Sequence, residues 1–424
     1  MSISWLYLLL ACLCVIASCH HVPGHEGGHD GHEHPEDDQH PAESHQESGH
    51  LPCLKIAPSS AEFAFNFYRQ IASQASGKNI LFSPVSISTA FMLVTLGAKG
   101  TTLDQIVSGI GFNHSVISKK EINDGFHHLL QLLNRPDAHI DLSVGNALFS
   151  TDKFPVRQEI VDDARNLFQA DIMPANFQNS EDAVNQINSY IEKKTHGKLV
   201  DFLKGLDQDT KMVLVNYIFM KGYWEKPFIP EFTWKRDFFV NNKTTVQVDM
   251  MERTGYYSSY HDKELGCEVV RIPYQGSASA LFILPEEGKL NQVEQALGRE
   301  TLLKWETSAE EWFLDLSLPK VSLRTSVDVK EIFQGLGVTE VFTDYANLSV
   351  FTEQCPLKIS KAIHKAHLNI HENGTEAVAT TFIEAVPQMD PPDLTFNKPF
   401  LLLIVEHLTR AILFMGRIVN PNEP

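Results

Sequence analysis

Residues 371–400 read HENGTEAVATTFIEAVPQMDPPDLTFNKPF, and the first half of this stretch alternates with a period of two. One face is small or apolar and carries no charge; it comprises Thr375, Ala377, Ala379, Thr381, Ile383 and Ala385. The opposite face carries both acids, Glu376 and Glu384. This alternation predicts a strand with one buried face, whereas Pro387, Pro391 and Pro392 exclude a central strand at its end. The pattern fits a strand-competent loop and, equally, an edge strand followed by a proline-rich turn.

The composition of the chain is that of a globular protein. It has 424 residues, 43% of them apolar, and a formal net charge of −18. No linker divides residues 56–424, which predicts one large domain over 53–424. The acidic balance argues against nucleic-acid binding.

Two N-terminal segments precede that domain. The apolar run from Trp5 to Ala17 is too short to span a membrane comfortably, and Ala17 and Cys19 suit a cut before His20. We therefore predict a signal peptide over 1–19 and a secreted, extracellular protein; the alternative is a short N-terminal anchor. Residues 20–52 hold nine of the nineteen histidines and eight acids, without Lys or Arg. Such a segment is expected to be disordered, and it either binds divalent metal weakly or is only a solvated acidic tail.

Cleavage after Cys19 leaves three cysteines, Cys53, Cys267 and Cys355, which allow at most one internal disulfide. Stability must therefore come from a core. Four Asn-x-Ser/Thr sequons are candidate glycosylation sites in a secreted protein, at Asn113, Asn242, Asn347 and Asn373.

Helical and strand periods are mixed along the chain. Apolar spacing predicts helices over 60–75, 86–96 and 182–194. Runs rich in β-branched and aromatic residues predict strands over 213–221, 278–285, 313–319, 400–405 and 411–419. The fold class is therefore α+β.

Catalytic motifs are absent from the sequence. Gly276-Ser277-Ala278-Ser279-Ala280 lacks the second glycine of a nucleophile elbow, and His371-Glu372 is not followed by the second histidine of a zinc-protease motif. We therefore predict neither an enzyme nor a bound cofactor or fixed metal site.

Six segments in order resemble the serpin family, and the alpha-1-antitrypsin group most closely. They are NILFSPVSIS at 79–88, LVNYIFMKGYWEKPF at 214–228, LPK at 318–320, KAIHKA at 361–366, GTEA at 374–377 and FNKPF at 396–400. The resemblance implies three β-sheets, about nine helices and an exposed reactive-centre loop. It also implies a monomer that traps a target serine protease: the protease attacks the loop, and the cleaved loop inserts into a large sheet as an added strand.

The resemblance assigns roles by position. The loop hinge comprises Glu372, Gly374, Thr375, Glu376, Ala377 and Ala379. The shutter, a polar cluster that controls sheet opening, comprises Ser83, Ser86, Asn216 and His364. Trp224 matches the breach, where insertion starts, and Lys320 and Glu372 match an ion pair at the top of the sheet. A glycan on Asn373, inside the hinge, would slow insertion; the alternative, which we favour, is an unoccupied sequon.

Counting sixteen residues from Glu372 places the scissile bond at Gln388–Met389; the competing register is Met389–Asp390. The absence of Arg or Lys there argues against a trypsin-like target. The second hypothesis is a non-inhibitory carrier of a steroid or thyroxine, because YHDKELGC at 260–267 is closer to the hormone-binding serpins.

Overall fold

The computed structural model describes residues 51–135, 140–354, 356–375 and 390–423. The described chain contains nine α-helices: α1 (Pro52–Gln74), α2 (Pro84–Thr95), α3 (Gly100–Gly109), α4 (Lys119–Leu133), α5 (Gln158–Phe168), α6 (Ser180–Lys194), α7 (Leu290–Ala296), α8 (Arg299–Ser308) and α9 (Val329–Gly335). The predicted signal peptide, residues 20–50 of the His-rich tail and Cys355 lie outside these residues. Pro52, predicted as the end of the disordered tail, is instead the first residue of α1.

Fourteen strands accompany the helices: β1 (Ile80–Phe82), β2 (Ile140–Thr151), β3 (Asp171–Ala175), β4 (Met212–Gly222), β5 (Thr233–Asn241), β6 (Thr244–Asp262), β7 (Cys267–Pro273), β8 (Ala278–Pro285), β9 (Glu310–Pro319), β10 (Val321–Asp328), β11 (Ile359–Ile370), β12 (Asp393–Thr395), β13 (Phe400–Glu406) and β14 (Ala411–Ile418).

The strands form two hydrogen-bonded sheets. The five-stranded sheet has the order β10-β11-β4-β2-β3, and the nine-stranded sheet the order β1-β14-β13-β8-β7-β6-β9-β12 with β5 paired to β6. β6 is 19 residues long and pairs with β5 at its start, with β9 along its middle and with β7 at its end. It therefore joins two halves of the larger sheet, and these halves with the smaller sheet account for the three sheets expected.

The five-stranded sheet contains a parallel joint. β4 pairs with β11 in parallel, whereas the outer partners, β2 on β4 and β10 on β11, are antiparallel. The β4–β11 pairing ends at Phe219 and His367, although β4 continues to Gly222 and β11 to Ile370. At this end of the joint, called its top below, β4 and β11 are therefore not paired with each other.

Helix α2 lies behind the five-stranded sheet and is buried at all twelve positions. Pro84 suits the first turn of a helix because its missing N–H would have no partner there. Ser83 caps the helix, and its side chain accepts a hydrogen bond from the Ser86 N–H. This buried cap places the Ser86 hydroxyl against the middle of β4, where it donates to the Tyr217 carbonyl oxygen.

The largest difference between a predicted and an observed helix boundary lies at the start of the first helix. Helix α1 begins at Pro52 instead of Ser60 and includes Pro58. The apolar face continues upstream through Cys53 and Ile56, both buried, so packing outweighs the hydrogen bond that Pro58 cannot donate. Cys53 and Cys267 are buried free thiols. No helix of the described chain has the length and apolar character needed to cross a membrane.

Candidate functional site: the joint between β4 and β11

The polar cluster predicted as the shutter lies across the middle of the joint. His364 on β11 is the register partner of Asn216 on β4. The Ser83 N–H donates to His364 Nε2 at 3.1 Å, so His364 Nδ1 carries the proton and donates to Asn216 Oδ1. Asn216 Nδ2 in turn donates to the Ser86 carbonyl oxygen at 3.0 Å. The four predicted residues therefore form one connected network.

The imidazole in this network is neutral. His364 is completely buried, and that burial lowers its pKa to about 3. A neutral imidazole can accept from Ser83 and donate to Asn216 at the same time, whereas a protonated one could only donate. The observed bonds therefore require the uncharged form.

Sequence reasoning missed one member of the cluster. Asn146 on β2 is buried, and its Oδ1 accepts a hydrogen bond from Asn216 Nδ2 at 2.6 Å. The two asparagines are register partners across β2 and β4. The sequence feature that could have indicated this contact is the single side-chain amide in each of these two strands. A buried amide requires a hydrogen-bonding partner, so the two amides could have been paired with each other.

The chain reverses directly after β11. His371 and Gly374 exchange two backbone hydrogen bonds, of 2.9 and 3.0 Å, and enclose Glu372 and Asn373 in a tight turn. Gly374 has φ +128°, and a Cβ there would lie 2.2 Å from the Gly222 carbonyl oxygen. Glycine is required at 374 because no side chain fits between the turn and the end of β4.

Trp224, the predicted breach residue, clamps this turn. Its indole N–H donates to the His371 carbonyl oxygen at 3.0 Å, and its backbone N–H donates to the Asn373 carbonyl oxygen at 2.9 Å. The indole is fully buried and stacks on Tyr274 with ring centroids 4.3 Å apart. Two hydrogen bonds from Trp224 therefore hold the turn in place.

Lys320 and Glu372 form an ion pair beside the turn, with 3.0 Å between Nζ and a carboxylate oxygen. Thr233 Oγ1 also donates to Glu372, at 2.9 Å. Burial by itself raises the pKa of Glu372, but hydrogen bonds from its own backbone N–H, Lys320 and Thr233 outweigh burial and leave the pKa below its usual range. The carboxylate is ionised and fixes the outer side of the turn.

Thr375 is the last of the predicted hinge residues that the structure describes, and it is bonded to the sheet. Its N–H donates to the Gly222 carbonyl oxygen at 2.6 Å, and its hydroxyl donates to Tyr274 Oη at 3.1 Å. The side chain is 1% exposed. Glu376, Ala377, Ala379, Gln388 and Met389 lie outside the described residues.

The four sequon asparagines differ in accessibility. Asn113, Asn242 and Asn347 are exposed, whereas Asn373 is half-buried in the turn. The described residues contain no cluster of three or more His, Cys, Asp or Glu side chains that could hold a metal ion.

Comparison with known proteins identifies the family of this chain. The family model described as "Serpin (serine protease inhibitor)" matches residues 58–421. The chain is 44% identical to alpha-1-antiproteinase of Callosciurus caniceps, with 100% of this chain and 99% of the relative covered. It is 43% identical to alpha-1-antitrypsin of Sus scrofa, with the same coverage.

The fold also matches a solved structure. Human thyroxine-binding globulin in complex with thyroxine aligns with a TM-score of 0.83 and 38% identity, over 87% of this chain and 99% of that one. Both a family model over most of the chain and full-length relatives above 40% identity therefore support one conclusion. This chain belongs to the serpin family of serine protease inhibitors.

Proposed function

We propose that this chain is a secreted inhibitor that a serine protease attacks at Gln388–Met389, after which the cleaved loop enters the five-stranded sheet between β4 and β11. The observation that carries the proposal is the absence of β4–β11 pairing at the top of this joint. Three residues of each strand lie beyond the last β4–β11 pair, and the Thr375 N–H already bonds the end of β4. A strand entering there would be antiparallel to both neighbours.

The chemistry belongs to the protease. Its serine oxygen attacks the carbonyl carbon of Gln388, the peptide bond to Met389 breaks, and the Met389 amine leaves with a proton. The inhibitor supplies the carbonyl and no catalytic side chain. Insertion then moves the ester-linked protease before water can hydrolyse the ester.

The sequence of the loop suits this movement. Residues 375–386 present an uncharged face of small or apolar side chains, and a buried unpaired charge on that face would cost several kcal/mol. A dozen residues that gain backbone hydrogen bonds and apolar burial supply on the order of 10 kcal/mol. The uncleaved form is then secured kinetically.

The side chain of Gln388 argues against one class of target protease. Its side chain is uncharged, so a specificity pocket that holds an acid gains no ion pair from it. We propose a target other than a trypsin-like enzyme. Mass spectrometry of the released C-terminal peptide distinguishes the two registers, since it starts at Met389 in the proposed register and at Asp390 in the competing one.

The main experiment is incubation with elastase-type and chymotrypsin-type proteases, followed by denaturing gel electrophoresis. We expect a covalent complex of inhibitor and protease that survives SDS. Cleavage near residue 388 across a broad panel, without any such complex, would contradict inhibition.

A matched pair of variants tests insertion itself. Ala379→Arg puts a charge on the inward face and should abolish the complex while the loop is still cleaved, whereas Val378→Arg, on the opposite face, should retain it. Position 379 is preferable to 375 because Thr375 is already buried before cleavage. Equal behaviour of the two variants would contradict the assignment of faces.

A second candidate function is transport of a small amphipathic ligand. A cavity of about 370 Å³ lies between α1, α8 and strands β7, β8 and β13. Its lining combines apolar side chains with three arginines and one carboxylate: Leu54, Leu281, Leu302, Arg271, Arg299, Arg410 and Glu306. This lining suits an apolar ligand with an anionic group.

Calorimetry with thyroxine and with a steroid tests the carrier hypothesis. Stoichiometric binding by the wild type that Arg299→Ala weakens at least tenfold, together with no covalent protease complex, would favour a carrier over an inhibitor. Absence of heat with both ligands, beside a covalent complex, would reject it.

A further inference from the structure

Tyr274 lies directly beneath the hinge and carries no role in the mechanism so far. We propose that Tyr274 is a positioning residue for loop insertion: its hydroxyl holds Thr375 at the entrance of the β4–β11 joint, so that insertion starts from a residue already bonded to the sheet. This inference rests on the proposed inhibitory function.

The backbone fixes Tyr274 in place. Its N–H donates to the Ala278 carbonyl oxygen at 2.9 Å, and the Gln275 N–H donates to the Tyr223 carbonyl oxygen at 2.7 Å. Trp224 and Tyr274 form an antiparallel bridge, and their rings stack. The tyrosine is therefore fixed to the two residues that directly follow β4.

The Tyr274 hydroxyl can bond Thr375 without competition from water, because the site is buried. Tyr274 is 1% exposed, and burial raises the pKa of its hydroxyl well above the usual value. The phenol therefore stays neutral, and the buried Thr375 hydroxyl donates to it. Removing either hydroxyl leaves the other buried and unsatisfied, which is costlier than removing both.

Docking of Thr375 sets where insertion begins. The residue is held by two bonds, one from its backbone to Gly222 and one from its side chain to Tyr274. When the side-chain bond is lost, the hinge is released for part of the time. The Thr375 N–H must then re-form its hydrogen bond to the Gly222 carbonyl oxygen while the acyl-enzyme is exposed to hydrolysis.

The test uses the full chain and four variants: Tyr274→Phe, Thr375→Val, the double variant, and Thr375→Ser as the conservative control. We expect each of the two single variants to raise the ratio of cleaved to covalently complexed inhibitor by about threefold or more, which corresponds to the loss of one buried hydrogen bond. The double variant should lie closer to wild type than either single variant, because no polar group is left stranded. Thr375→Ser should match wild type.

Two further measurements separate positioning from folding and from the proposed function. Thermal unfolding of the uncleaved variants shows whether a variant is folded at the assay temperature, and only folded variants enter the comparison. Cleavage of the loop by a non-target protease, followed by thermal unfolding, reports insertion without any inhibitory complex. We expect the stability gain to develop more slowly in the two single variants than in wild type.

The outcomes are distinct. A wild-type ratio of cleaved to complexed inhibitor and wild-type insertion rates in both single variants would overturn the role of Tyr274 and leave the inhibitory function intact. Single effects that simply add in the double variant would overturn it as well, because they would show that the two hydroxyls are not coupled. A wild-type protein that gains no stability on cleavage would overturn the inhibitory function and, with it, the positioning role.

Discussion

Two joints between strands in this molecule are built in opposite ways. Strands β8, β13 and β14 in the nine-stranded sheet are buried at every position, pair antiparallel along their length and interlock through large apolar side chains. The β4–β11 joint is parallel, open at the top and bridged in its middle by the His364–Asn216 bond. Both joints pack buried apolar side chains, and the β4–β11 joint, which is proposed to open, is in addition bridged by buried polar side chains.

The difference has a physical reason. Neighbouring strands lie about 4.8 Å apart, so one inserted strand would separate β4 and β11 by roughly twice that distance. Hydrogen-bonding groups can exchange partners with an incoming strand. Interlocked apolar side chains cannot separate without leaving a cavity, which costs stability in proportion to its volume.

The largest expected effect is on the stability of the apolar joint formed by β8, β13 and β14. Phe282 on β8 is 1% exposed, and its ring lies 5.9 Å from Phe396 and 6.2 Å from Phe400. Phe282→Ala should cost about 3–5 kcal/mol, equally in the uncleaved and the cleaved protein. Urea unfolding of both forms measures the loss. Val116→Ala, at an exposed position, should change little, and a loss confined to one form would break the comparison.

The next effect is a pH dependence of the opening joint. His364 has a pKa of about 3 in the fold and about 6.5 when unfolded, so the unfolded chain takes up its proton first as the pH falls. The contribution of neutral His364 is complete above pH 6.5 and falls by about 1.4 kcal/mol per pH unit between 6.5 and 3. Urea unfolding from pH 7.5 to 4.5 should show a smaller slope for His364→Gln than for wild type; equal slopes would refute it.

A smaller effect is expected for Asn216→Ala. The change strands the proton of His364 and the amide of Asn146 in a buried site, which should cost about 1–3 kcal/mol in the uncleaved protein. The cleaved protein should lose less, since insertion would already have separated Asn216 from His364. The same urea titrations measure both values. Asn422→Ala, at the surface, is the matched control, and an equal loss in both forms would argue against opening at this joint.

The smallest effect is expected at the top of the sheet. The Lys320 side chain is 40% exposed, and Glu372 keeps its bonds from Thr233 and its own backbone, so Lys320→Met should cost about 0–1 kcal/mol. Lys235→Met, which removes a surface pair with Asp249, should cost no more. A loss well above 1 kcal/mol from Lys320→Met alone would show that the ion pair, and not the polar cluster, holds the joint closed.

Much of the sheet could be predicted from residue patterns alone. The run VLVNYIFMK predicts β4 to within one residue at each end, and ASALFILP matches β8 at both ends. These strands are apolar at nearly every position and are flanked by turn residues, so local sequence and tertiary burial agree. The start of α1 was missed because Ser60 suits a helix cap, and only packing shows that the helix begins at Pro52 and continues through Pro58.

Contacts between distant segments could not be predicted in the same way. Asn146 lies 70 positions from Asn216, and Tyr274 lies 101 positions from Thr375. No local period links such pairs, because their proximity is set by strand register and by the turn after β11. The resemblance to serpins supplied residues on one side of these contacts, and the structure added Asn146 and Tyr274.

The turn His371–Gly374 bears on the sequon at Asn373. A strand that follows β11 and runs antiparallel to it needs a reversal at this point, whether or not the loop has entered the sheet, so Asn373 stays at the tip of that reversal in both states. We therefore expect carbohydrate at Asn373 to remain outside the sheet as the loop moves and to leave inhibition unimpaired, contrary to the expectation from sequence. Because the Thr375 hydroxyl is buried once the chain has folded, any such carbohydrate must be attached during synthesis. Glycopeptide mass spectrometry of the covalent complex tests this, and a complex from which the Asn373 glycoform is selectively missing would show the opposite.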